Sequence, residues 1–167
     1  DAHIDWNAVL LESQWHGVLP AVYNKIRGSF ADSISDEGVD LLADAFDDEL
    51  KRSMLLSSVL FSLLDDFDDA GITAVPYKGP VFADRYYGSI AHRTFWDLDI
   101  LMSRKDILPA KEIMLKRGYV PEDSWNRMQE RRNLRLNCEY NFDKPGTHVE
   151  LHWGFVRKYI RFEIDPE

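Results

Sequence analysis

The sequence has a single cysteine, Cys138, only five histidines, and no run of 18 or more apolar residues. One cysteine excludes an internal disulfide, and without an apolar run of spanning length no helical membrane span is expected, so a reducing cytoplasm is the expected compartment. No cysteine or second histidine lies at a metal-motif spacing from His3 or His16, which argues against a zinc site and leaves both as surface or core-edge residues. Basic residues are also scarce, with 20 Lys and Arg against 29 Asp and Glu and a net charge of −9. That balance disfavours a broad nucleic-acid footprint, although it leaves room for a local basic groove. What is present suffices for one well-packed domain, or for one domain with a helical appendage: 167 residues, 45% hydrophobic and 13% aromatic. The chain opens on Asp1 rather than Met and closes on Asp165-Pro166-Glu167 without an obvious final element, so a fragment of a longer chain is expected.

Apolar spacing over 5–26 (Trp6, Val9, Leu10, Val18, Val22) predicts one or two short helices, with Pro20 at a break or first turn. Residues 28–35 read as a linker. Ser35 followed by Asp36 and Glu37 forms a helix start, and Leu42, Phe46, Leu50, Met54, Val59, Leu63 and Phe67 continue it as one long helix or a broken pair. Its acidic runs read as a solvated face, and Gly71 stops it. The expected division is therefore an N-terminal helical segment over 1–70, packed on a core over 71–167.

In that core, Ile72–Tyr77 reads as a strand, Lys78-Gly79 as a turn, and Pro80–Tyr87 as a short helix with proline in its first turn. A helix start beyond a strand end favours an anion such as phosphate, while Gly79 by itself is equally at home in a plain tight turn. After a loop holding His92 and Arg93 comes Asp97-Leu98-Asp99-Ile100, whose alternation as a strand sends both carboxylates to one face and the apolar side chains to the other. Two strand steps hold their Cβ atoms roughly 6–7 Å apart, close enough to converge on a shared cation. The chain has 19 aspartates, so the pattern recurs at Asp66-Phe67-Asp68, but in a helical stretch where residues two apart diverge. A helix is expected over 107–117. Residues 134–141 and 148–155 alternate about Asp143-Lys144-Pro145-Gly146-Thr147, a hairpin signal that puts Glu150 and His152 on one face and Leu151 and Trp153 on the other.

Taken in order, these elements resemble the nucleotidyltransferase fold of the DNA polymerase β-like superfamily. More closely, Tyr77-Lys78-Gly79, Tyr86-Tyr87-Gly88, Arg93, Trp96 to Leu101, and Val149-Glu150-Leu151-His152-Trp153 resemble an uncharacterised bacterial nucleotidyltransferase family. The resemblance implies an α+β fold with a mixed sheet flanked by helices. It also implies an enzyme that transfers a nucleoside monophosphate from an NTP, ATP among the candidates, to an unidentified acceptor.

The resemblance further implies that Asp97, Asp99 and Glu150 hold two Mg²⁺ or Mn²⁺ ions, with Glu150 helping to deprotonate the attacking hydroxyl. Two cations roughly 3.5–4 Å apart stabilise both the entering and the leaving oxygen of an in-line displacement. Lys78, Gly79, Arg93 and His152 fall to the nucleotide. For Arg93 the alternative is an ion pair with a nearby aspartate, and for His152 it is the orientation of a carboxylate. Trp96 and Trp153 read as core or cleft wall before stacking platforms. The turn departs from the superfamily pattern in that Pro80, which has no N–H, follows Gly79, and Lys78 is the residue placed to supply positive charge. Two alternatives stay open: a weakly active relative that binds a nucleotide or a protein, and a Mg²⁺-dependent phosphohydrolase. In this superfamily a helical segment beyond the catalytic strands commonly covers the nucleoside and acceptor, so a longer chain is expected to turn over better.

Overall fold

Eleven elements follow one another in a computed structural model of the chain, which describes residues 4–30 and 35–157. They are α1 (Trp6–Trp15), α2 (Leu19–Ser29), α3 (Asp36–Asp69), β1 (Ala74–Pro76), α4 (Gly79–Tyr87), β2 (Asp97–Met102), α5 (Ile107–Lys116), β3 (Val120–Pro121), α6 (Arg127–Leu136), β4 (Glu139–Lys144) and β5 (Thr147–His152). His3 and the Asp165-Pro166-Glu167 tail lie outside the described residues. The chain divides into two interleaved units, one holding residues up to Val59 together with Lys78–Trp96, the other holding Leu60–Tyr77 and the residues from Asp97 onward.

The first unit is helical. Asp5 caps α1 by accepting from the Ala8 amide at 3.1 Å, and Pro20 sits in the first turn of α2, where a missing N–H costs nothing. Leu19, Tyr23 and Leu42 are buried, with Trp6, Leu10, Val22, Ile26 and Phe46 packed against them. Tyr23 and Phe46 stack at 4.6 Å. Gly38 is required by this packing, because a β-carbon there would lie 2.3 Å from the Trp6 ring. α3 is one continuous helix of 34 residues, which settles the choice between a long helix and a broken pair. The acidic face is solvated at Asp48, which pairs with Lys51 at 2.8 Å, but not at Glu49, which pairs with Arg52 at 2.9 Å and is largely covered. In α4, Gly79 has φ 56°, a left-handed value that Lys78 and Pro80 on either side do not share, so the backbone alone demands glycine there.

The second unit carries a five-stranded mixed sheet in the order β1-β2-β5-β4-β3. β2 and β5 are parallel, whereas β1 against β2, β4 against β5, and β3 against β4 are antiparallel. Alternation then sorts the side chains. Leu98, Ile100, Met102, Tyr140, Phe142, Val149 and Leu151 are buried on one face, which is the core side of the sheet. Leu63, Phe67, Ile107, Ala110 and Met114 supply further buried apolar surface from α3 and α5. Arg117, just beyond α5, fastens that helix to α3 by an ion pair with Asp66 and by donating to Ser62 Oγ and Ser62 O, both at 2.8 Å. The second D-x-D thus belongs to a helix, with Phe67 buried and Asp66 serving as a structural anchor.

One expected strand is corrected. Residues 134–141 do not form a single extended arm, because α6 runs to Leu136 and the strand begins at Glu139. Asn126 and Gln129 close a capping box at the start of α6, with the Asn126 side chain accepting from the Met128 and Gln129 amides at 3.0 Å. The alternating Leu134, Leu136, Cys138 and Tyr140 straddle this helix-to-strand change, and a period of two read across it is misleading. The hairpin itself is present, with Lys144 paired to Thr147 across Pro145-Gly146 and Gly146 at φ 79°.

Candidate active site

The polar face of the second unit's sheet is defined by the register of its central pair. Asp99 on β2 lies directly opposite Glu150 on β5, Asp97 opposite His148, and Leu101 opposite His152. Two carboxylates opposed across adjacent strands repel one another, the more so where water is scarce, and Asp99 is only 1% exposed. His152, itself 4% exposed, answers the repulsion: its Nε2 lies 3.1 Å from Asp99 Oδ1 and 3.0 Å from Glu150 Oε2, and its Nδ1 lies 3.8 Å from Glu139 Oε2.

The proton balance follows from this geometry. Burial alone would push the His152 imidazole toward its neutral form, but the hydrogen bonds and charges of Asp99 and Glu150 overrule it and raise its pKa to about 9. The hydrogen bond from His152 holds Glu150 below its ordinary value, against both burial and the charge of Asp99. The other Glu150 oxygen, Oε1, faces His148 Nε2 at 3.5 Å, and His148 Nδ1 lies 2.8 Å from Asp143. Burial lowers the His148 pKa, yet Asp143 and Glu150 raise it on balance. Glu150 is therefore a carboxylate bracketed by two histidines.

Tyr77 completes the setting. Its amide donates to the Asp99 carbonyl and its hydroxyl to Asp99 Oδ1, both at 3.3 Å, and its ring stands edge-on to His152 at 5.4 Å and to the exposed Phe155 at 5.3 Å. The sequence placed Tyr77 at a strand end and in the Tyr77-Lys78-Gly79 motif without a role at the site, and gave His148 no role. For Tyr77 the available signal was its place at the end of a strand that could border β2. For His148 it was the i, i+2 spacing to Glu150.

Asp99, Glu150 and His152 each place a potential ligand atom within 4.8 Å of the others, so together they form a candidate cation site, one at which His152 can serve as a ligand only by giving up the proton that the carboxylates hold on it. The donor set fits. Two carboxylates suit Mg²⁺ or Mn²⁺, and an imidazole beside them leans toward Mn²⁺ over Mg²⁺. The His152 imidazolium already marks the place where positive charge is stabilised. Asp97, two positions earlier on β2, shares their sheet face by alternation. Lys78, Gly79 and Arg93 belong to the first unit. Lys78 occupies the N-cap position of α4, while Arg93 lies in the loop after α4.

A mixed sheet whose central parallel pair carries opposed carboxylates, with helices around it and a helical N-terminal segment, defines an α+β protein of nucleotidyltransferase type. The chain belongs to the family described as uncharacterised nucleotidyltransferase, which it matches over residues 2–167. No curated protein and no solved structure matches it. Family membership supports a general role in transfer from a nucleoside triphosphate. No helix among the described residues is long and apolar enough to cross a membrane.

Proposed function

We propose that this chain transfers a nucleoside monophosphate from an NTP to a hydroxyl-bearing acceptor, with Asp97, Asp99 and Glu150 as the carboxylates that hold divalent cations. The observation that carries this reading is the in-register opposition of Asp99 and Glu150 on parallel neighbours, drawn together by His152. Like charges held this close in a buried setting are stable only with a cation or a proton between them. Bound Mg²⁺ or Mn²⁺ supplies charge stabilisation for the entering and leaving oxygens of an in-line displacement, with pyrophosphate as the leaving group.

The residues divide the remaining work. Glu150, kept ionised by His152, fits a ligand better than a proton store. Tyr77 fixes the Asp99 carboxylate by its hydroxyl and so fixes the direction of the free-electron pairs offered to a cation. Lys78, Gly79 and Arg93 are assigned to the phosphates, and His152 to positioning Asp99 and Glu150. The acceptor is a sugar, a drug-like alcohol, a protein side chain or an RNA end, the last least favoured by the net charge of −9.

The test is pyrophosphate release from each NTP with Mg²⁺ or Mn²⁺ across an acceptor panel, with product analysis by mass. Nucleotidylated acceptor that disappears in both Asp99→Asn and Glu150→Gln is the expected outcome, whereas free phosphate or free NMP as the sole product would assign the site to hydrolysis. A second reading, a relative of the fold that binds without transferring, is favoured by one observation. The His152 imidazolium offsets one of the two carboxylate charges without any metal. Manganese titration separates the two, since the transferase reading requires saturable Mn²⁺ binding that Asp99→Asn abolishes.

A further inference from the structure

The first unit contains a cleft of about 490 Å³ that the carboxylate chemistry does not use. It is lined by Trp15, His16, Tyr87, His92, Arg93 and Trp96, among others, and by no acidic residue. In a chain with nine more acidic than basic residues, a cleft whose titratable lining is two histidines, an arginine and a tyrosine, with Glu12 paired to His16 at 3.4 Å, stands apart. Arg93 Nη1 is buried with no hydrogen-bond partner among the described residues, and its guanidinium is only loosely covered, 5.2 Å from the Phe82 ring. A buried guanidinium nitrogen without an acceptor is costly, and its fork suits the paired oxygens of a phosphate or carboxylate. The aromatic walls are open. Trp15 is 85% exposed and Trp96 60%, and Arg52 lies over the Trp96 ring with Cζ 3.0 Å from the centroid, which fixes that wall in place. Exposed indoles beside a fixed cation suit a flat ring that stacks while its anionic group meets the arginine. The volume is that of a small-ligand pocket.

We propose that this cleft binds a small anion carried on a flat ring, with Arg93 holding the phosphate or carboxylate and Trp15 stacking on the ring. The site is built from residues of the first unit alone; it shares Arg93 with the phosphate contacts proposed for the transferase and in that respect rests on that reading, but it needs no divalent cation, so metal-free binding tests it separately.

The experiment is calorimetric titration of the whole chain in EDTA with AMP, benzoate, adenosine and inorganic phosphate. AMP and benzoate distinguish a phosphate from a carboxylate as the anionic group, and adenosine lacks the anion. Saturable binding of AMP or benzoate, with adenosine at least tenfold weaker, is expected; so is a loss of tenfold or more in Arg93→Gln, substantial retention in Arg93→Lys, and unchanged affinity in Asp99→Asn. Trp15→Ala, at a position too exposed to endanger folding, is expected to weaken the ring-bearing anion several-fold and to leave inorganic phosphate unchanged. This variant decides the matter if Arg93→Gln fails to fold. No saturable binding by AMP or benzoate, equal affinity in Trp15→Ala, or affinity lost in Asp99→Asn would each overturn the proposal.

Discussion

Replacing His152 by glutamine in metal-free protein isolates the charge that holds the carboxylate pair together. The imidazole goes from an ordinary pKa of 6.5 to about 9 on folding, a gap that corresponds to roughly 3 kcal/mol of stability from its charged form. A raised folded-state pKa fixes the sign. This contribution is fully present below about pH 6.5, where the imidazole is protonated in both states, and it is lost as pH rises through about 9. Glu150, depressed on folding, behaves oppositely: its contribution is present above the ordinary carboxylate range and disappears as pH falls through its lowered value. Chelator-treated wild type should therefore be most stable between the carboxylate range and about pH 6.5, and should lose stability steadily from there to about pH 9. Equilibrium urea denaturation at pH 6, 7.5 and 9.5 reads the difference between wild type and His152→Gln. It should be near 3 kcal/mol at pH 6 and should shrink to a small packing residue at pH 9.5. A gap of the same size at all three values would refute the ion-pair argument and make His152 a packing residue.

Arg117→Met should cost about 1–2 kcal/mol, less than a fully buried pair because both partners are about one-third exposed, and urea denaturation should show it as a lower midpoint. Hydrogen exchange in that variant should rise first in α5, which loses its tie to Asp66 and Ser62. Gly38→Ala sets two effects against each other: helix propensity favours alanine by about 1 kcal/mol, while overpacking against the Trp6 ring costs about 1–3 kcal/mol. The clash at 2.3 Å should win, so the variant should melt at lower temperature with an altered Trp6 fluorescence environment; a stabilised variant would mean that the ring moves aside without penalty. Asn126→Ala should remove the capping box and cost about 1 kcal/mol, measurable as faster amide exchange in the first turn of α6.

Much of the fold was legible where a period was long or a breaker was plain. The α3 pattern from Leu42 to Phe67, the Gly71 stop, the Pro-Gly turn at 145–146 and the alternation of Asp97-Leu98-Asp99-Ile100 each reflect local chemistry that tertiary structure did not override. Legibility failed at α6, where a period of two was read across a helix end and the Asn126–Gln129 cap was missed. It failed also at β3, whose two residues are too few to carry any period.

The sequence by itself determined which side chains share a face. A strand fixes Asp97 with Asp99 and Glu150 with His152 by alternation alone, and the family motif linked those two strands. Only the tertiary structure decided the register: Asp99 rather than Asp97 opposite Glu150, at a sheet pairing that spans 51 residues of chain. Only it decided that His152 would be buried with its Nε2 between the two carboxylates, and that the Tyr77 hydroxyl would reach Asp99. The reason is physical. Alternation is set by covalent geometry within a few residues. Register, burial and the resulting imidazole pKa depend on the summed packing of residues far apart in the chain, which no local pattern encodes.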